Sequence, residues 1–208
     1  MGVEILFLIA VLIMSVVIHE VSHGFAANWL GDPTARLEGR LTLNPVPHID
    51  PVGSVILPAI LALSSSPFLF GWAKPVPYNP YNFQRGGRWA EALVAGAGPA
   101  ANIVIALVFG ALVRFGVIPL EAVNLAVSII FLNVLLAVFN LMPIPPLDGS
   151  KVFSSLLPQP FARGYEKLRL VLERNIFLAF GAIILVVLLF GSWFALFIAH
   201  ITRLIIGA

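Results

Sequence analysis

Apolar residues in this chain gather in long runs, not at the spacing of a half-buried helix or strand. Four runs, residues 3–29, 90–114, 121–142 and 176–206, each reach the roughly 20 residues that a helix needs to cross the hydrocarbon core of a bilayer. Gly31-Asp32-Pro33 ends the first run with two helix breakers. The last run holds one span plus an interfacial tail, unless Gly191-Ser192 folds it back as a hairpin. The remaining segments are patterned differently. Arg40-Leu41-Thr42-Leu43 alternates as a short strand would, and Pro45, Pro47 and Pro51 halt regular structure after it. Residues 53–70 are apolar but broken by Gly53, Pro58, three serines and Pro67. Residues 71–85 hold too much proline for a helix and read as an extended loop with interfacial aromatic residues. The pattern predicts an all-α polytopic membrane protein: about four transmembrane helices, a re-entrant segment and short membrane-associated β or extended elements.

Composition sharpens this reading. The 208 residues are 60% hydrophobic and 11% charged, with a mean hydropathy of +1.00. A soluble domain carries about 25% charge. The net charge of +2 is too small to suggest a nucleic-acid partner. With no cysteine, disulfides, thiolate metal sites and cysteine nucleophiles are excluded. Met1-Gly2-Val3-Glu4 lacks the basic start of a signal peptide, so residues 3–18 read as the start of a retained span. Leu6 stands where myristoylation would want Ser or Thr.

Charge placement orients the chain. Arg36 and Arg40, then Lys74, Arg85 and Arg88, then Lys151, Arg163, Lys167, Arg169 and Arg174 fall in three connecting segments. The 115–120 connection has only Arg114 at its edge. The positive-inside rule makes the three basic segments cytoplasmic and the short one external. Both ends of 53–70 then lie on one side, so that segment dips in and returns. Irregular backbone at such depth requires a protein wall or a water-filled cavity.

The candidate chemistry begins inside the first apolar run, at His19-Glu20-Val21-Ser22-His23. Histidines at i and i+4 share one helix face and can grip a single metal, with the glutamate beside it as a general base. Each ionisable group at membrane depth costs about 2.5 kcal/mol or more, and a bound zinc ion would offset that cost. A catalytic zinc takes three protein ligands and leaves one position open. Downstream, Asn140-Leu141-Met142-Pro143-Ile144-Pro145-Pro146-Leu147-Asp148-Gly149 ends the third run with a tight turn that aims a carboxylate back into the bundle. If 53–70 does not cross, the first and third spans run in the same direction, placing Asp148 at the depth of His19 and His23. The competing role for Asp148 is a helix cap.

Together with Gly98-Pro99-Ala100-Ala101-Asn102, these two motifs resemble the site-2 protease family of intramembrane metalloproteases, in matching order over roughly residues 1–155. The resemblance implies Zn2+ held by His19, His23 and Asp148, Glu20 as catalytic base, and Asn102 and Asn140 near the substrate. It implies a transmembrane protein substrate cut within or near its helix, in regulated intramembrane proteolysis. It also implies a multi-pass protein in the bilayer of a prokaryotic cell, its active site towards the cytoplasm. Relatives that carry a PDZ or CBS domain make residues 1–208 look like a single minimal metalloprotease domain, with its core in 1–155 and a C-terminal membrane segment at 176–206. From the residues alone, Asn102 and Asn140 are equally suited to helix-to-helix hydrogen bonds. His48 and His200 read as isolated interfacial histidines, and Asp32 and Asp50 as turn residues before proline. The competing functions are a membrane metal transporter, for which no polar path or repeat is visible, and an inactive binding module. The mark of the latter would be loss of Glu20 or a ligand.

Overall fold

The computed structural model describes residues 2–64 and 71–207, and every regular element among them is helical. In chain order these are α1 (Gly2–Leu30), α2 (Thr34–Leu37), α3 (Leu57–Leu63), α4 (Ala90–Arg114), α5 (Val123–Asn140), α6 (Asp148–Leu156), α7 (Gln159–Arg174) and α8 (Ile176–Ile206). Among the described residues α1, α4, α5 and α8 are long and apolar enough to cross a membrane. The fold is an all-α integral membrane bundle.

Helix α4 is its hub, packing against α1, α5, α6 and α8. Its small residues explain why. Ala90 and Val94 meet Ala27 and Leu30 of α1 in one buried cluster, and Ala106 meets Ile130, Val134 and Ile198 in another. Small side chains let helix backbones approach closely where lipid supplies no hydrophobic drive. A Cβ on Gly110 would overlap Ile205 of α8. The Arg114 guanidinium caps that end of the bundle, with Nε donating to Ile205 O at 2.8 Å and Nη2 donating to Leu204 O.

The 31 residues of α8 form one unbroken helix, about 46 Å at 1.5 Å per residue. Gly191-Ser192 does not interrupt it, so the last run crosses once. Its length and those of α1, α4 and α5 set the parity. The C-terminal ends of α1 and α5 and the N-terminal ends of α4 and α8 share one end of the bundle.

The expected strand at Arg40–Leu43 does not form. No strand exists among the described residues. The chain instead curls out of α2, with Arg40 N–H donating to Ala35 O at 2.8 Å after Gly39 at φ +66°. Four alternating residues make a strand only beside a partner ladder, and the neighbouring 71–79 segment offers none. It meets Arg40 through the side chain, with Nη2 donating to Lys74 O (2.8 Å) and Pro75 O (3.2 Å).

Residues 51–56 form a π-helical turn leading into α3. At 1.5 Å per residue α3 is about 10 Å long, far short of a crossing. Trp72 N–H donates to Gly53 O at 3.1 Å and Ser54 Oγ donates to Trp72 O at 2.8 Å, so the chain leaves and returns at neighbouring points. Residues 65–70 of the expected re-entrant segment, including Pro67, lie outside the described residues.

Candidate metal centre

Helix α1 runs unbroken through residues 18–23, which places the His19 and His23 rings 4.7 Å apart in an edge-on arrangement. Asp148 reaches them from the first residue of α6, after the proline-rich turn that ends α5. A Cβ on Gly149 would overlap the Leu141 and Met142 carbonyls, so this tight return requires glycine. The Asp148 Oδ2 atom lies 3.1 Å from His19 Nε2 and 3.2 Å from His23 Nε2. All three side chains are largely buried.

The outer nitrogens fix the tautomers. His23 Nδ1–H donates to Val94 O at 2.7 Å. His19 Nδ1–H donates to Asn102 Oδ1 at 2.6 Å. The amide orientation follows from its other end, where Asn102 Nδ2 donates to Asn133 Oδ1 (2.8 Å) and Ser15 O (3.3 Å). Asn133 Nδ2 in turn donates to Ser15 Oγ (3.0 Å) and Ile129 O (2.9 Å). With both Nδ1 atoms protonated, both Nε2 atoms present lone pairs to a carboxylate oxygen. Three such acceptors repel one another unless a cation lies between them. Ligands 2.0–2.1 Å from a tetrahedral zinc stand about 3.3 Å apart, so the observed 3.1–3.2 Å fits that ion.

Gly98 of α4 closes over the rings. A Cβ there would stand 2.5 Å from His23 Nε2 and 2.7 Å from His19 Cε1, so any larger residue would crowd both rings. Glu20 stands alongside, with ligand atoms of Glu20, His19 and His23 all within 4.8 Å. Its Oε2 accepts from Val76 N–H at 2.9 Å, which ties it to the 71–79 segment.

A cavity of about 180 Å³ opens from the site, lined by Glu20, Val76, Tyr78, Asn140, Asp148 and Lys151 among others. Lys151 lies one turn past Asp148. Burial lowers its basicity, but Tyr78 and Asp148 outweigh that and hold the ammonium charged.

The other singled-out residues sort clearly. Asn102 is fully buried, so its amide faces His19 and two neighbouring helices and not an open substrate site. Asn140 is at the cavity wall, its Nδ2 donating to Leu136 O at 2.9 Å. His48 is not an exposed interfacial histidine. It is buried in its loop, with Nε2–H donating to Thr42 O at 3.0 Å. His200 is exposed near the end of α8. Asp50 caps the π-helical turn, accepting from Val52 and Gly53 N–H. Asp32 does more than turn the chain: fully buried, it accepts from Thr34, Asn79 N–H and Asn82 Nδ2, clamping residues 79–82 to the end of α1. Ser15 and Asn133 are additional to the sequence reading, which named Gly98 only as part of a motif. Ser15 lies one turn before His19, and Asn133 is an amide inside an apolar run, so periodicity and polarity together could have found both.

"Putative zinc metalloprotease YwhC" of Bacillus subtilis is 39% identical over 161 residues, covering 73% of this chain and 69% of that protein. The profile described as Peptidase family M50 matches residues 116–188. The chain belongs to peptidase family M50. This is the site-2 protease family that the motifs resemble. Two further relatives are named "Putative zinc metalloprotease Rip2". That of Mycolicibacterium smegmatis is 38% identical over 151 residues, covering 71% of this chain and 56% of its own length. That of Mycobacterium tuberculosis is 30% identical over 185 residues, covering 88% and 67%. No solved structure matches the chain. The M50 profile spans α5, the turn to Asp148, α6, α7 and the first part of α8, while the His-Glu-x-x-His motif precedes it.

Proposed function

We propose that this M50 chain is an intramembrane zinc metalloprotease that cuts peptide bonds within or near transmembrane helices of membrane proteins, in regulated intramembrane proteolysis. The observation that carries the reading is the convergence of three acceptor atoms from α1 and α6 on one cation-sized point. His19, His23 and Asp148 would hold Zn2+, and the ion, once bound, supplies Lewis acidity towards a carbonyl and a water. Glu20 takes the proton from the attacking water on a carboxylate oxygen and hands it to the leaving amine. Asn102 orients His19 and fixes its tautomer. Asn140 Nδ2 is engaged with its own helix, so its carbonyl oxygen is the group free to accept a substrate N–H.

The cavity of about 180 Å³ is smaller than the 300–1,000 Å³ typical of ligand sites. A substrate strand therefore enters only when Pro75, Val76 and Tyr78 move aside, and that movement also releases Glu20 from Val76 N–H. The substrate must unwind locally, since a helical peptide bond is already hydrogen-bonded. We read the 53–70 segment, of which residues 53–64 are described, as re-entrant. Ten of the twelve Lys and Arg residues lie at the same end of the bundle as the metal centre, which supports a cytoplasmic position for it in a prokaryotic membrane.

The test uses purified protein, zinc and a single-span substrate. Glu20→Gln is expected to abolish cleavage while metal content stays unchanged. Cleavage retained in that variant, or metal flux across vesicles in its place, would overturn the reading.

A further inference from the structure

A second, larger cavity lies apart from the candidate metal centre. It measures about 780 Å³ and lies between residues 80–91 on one side and α6 and α7 on the other. Its carboxylates are already engaged. Arg169 pairs with Glu166 at 3.0 Å and with Glu91 at 3.5 Å. Besides Lys151, which faces Tyr78, four further lining cations, Arg85 and Arg88 on one wall and Arg163 and Lys167 on the other, have no ion pair among the described residues. Arg163 and Lys167 are one turn apart, so both project from the same face of α7. All four are exposed around one open cleft, so together they offer a positive field that attracts an anion.

The surroundings indicate which anion. The cavity sits where α4 begins, at the end of the bundle that carries most of the basic residues. Helix α7 exposes Phe161, Leu168 and Val171 beside its charged residues, the pattern of a helix lying in the plane of a membrane interface. An anion reaching this volume from the bilayer is the phosphate of an anionic phospholipid, and basic pockets beside span ends suit such head groups. We propose that this cavity binds the phosphate head group of an anionic phospholipid, held by Arg85, Arg88, Arg163 and Lys167. Lys151 lines both cavities, so α6, which begins at Asp148, forms the wall between the lipid site and the metal centre.

The test does not depend on proteolysis. Full-length protein in detergent is mixed with equal amounts of phosphatidylglycerol and phosphatidylcholine, and retained lipid is counted by native mass spectrometry. Phosphatidylglycerol is expected to be retained in preference. Arg163→Gln with Lys167→Gln should weaken that retention about twenty-five-fold, two basic groups contributing about a factor of five each. The control, Arg36→Gln with Arg174→Gln, removes the same charge at the same end of the bundle and should leave retention unchanged. Equal retention of the two lipids would overturn the proposal. So would an equal loss in both double variants, which would indicate diffuse surface charge. Displacement of phosphatidylglycerol by excess inorganic phosphate or ATP would assign the cavity to a soluble phosphate and overturn the lipid assignment.

Discussion

Helices α1 and α8 are nearly alike by the measures that detect a membrane span: their most apolar stretches have mean hydropathies of 2.5 and 2.7. Inside the bundle they differ. Helix α1 turns Ser15, His19 and His23 inward, each buried and each with partners on α4, α5 or α6. Of the apolar stretch of α8 only 11% is buried, and its buried Thr202 merely donates back to Ile198 O on its own helix. Hydropathy therefore reports the solvent that a helix tolerates, while function is carried by polar groups that the same solvent would otherwise expel. Such groups persist in a span only when every donor and acceptor is matched, and around His19 the matching extends through three helices.

The sharpest way to break this contrast is to remove a ligand. Asp148→Ala and His23→Ala each leave two of three donors, so zinc content measured by elemental analysis should fall to near zero and cleavage should be lost. A variant that kept full zinc would show that the inward-facing groups of α1 do not form a metal site. Gly98→Ala is a subtler form of the same attack, since it deletes nothing. Its Cβ would occupy the space beside His23 Nε2. Zinc affinity, read by competition with a chelator, should drop more than in any variant beyond the ligands themselves.

The hydrogen-bonded chain behind His19 is next. Outer partners of a ligating histidine are worth about 10–100-fold in metal affinity, so Asn102→Ala should fall in that range. Asn133→Ala acts one hydrogen bond further away, by loosening Asn102, and should cost about tenfold. If Asn133→Ala equalled Asn102→Ala, the two amides would be acting as one unit rather than in series.

How much of this was legible in the sequence follows from the range of each signal. The four spans depend on local hydropathy alone, and the pairing of His19 with His23 on the period of one helix. Asp148 was within reach because parity of the spans brings the end of α5 to the level of the two histidines. What could not be read is set by contacts without a side-chain signature. The donor to Glu20 is a backbone N–H at Val76, a group every residue but proline carries. The Arg40–Leu43 run carries a strand pattern, yet strand formation depends on a partner that the fold does not bring. Gly98 stands within a motif, but a glycine in an apolar helix reads first as a packing contact, and only the rings facing it reveal its second role.

The smallest expected effect tests the other half of the contrast. Leu188 is exposed on the lipid-facing side of α8, and Phe177 is exposed at its start. Neither belongs to the buried clusters that fix the helix, where Ile198 meets Ala106, Ile130 and Val134. Since lipid tails are as apolar as the side chains they touch, shortening either residue exchanges one apolar contact for another. Leu188→Ala should therefore leave zinc affinity unchanged and shift stability in detergent by less than about 0.5 kcal/mol. Ile198→Ala, on the same helix but turned inward, should cost about 2–5 kcal/mol with zinc affinity again unchanged, because α8 contributes no donor to the site. A loss of zinc affinity in Leu188→Ala would mean that the outer face of α8 is coupled to the metal centre, and the division between a lipid-facing helix and a site-building one would fail.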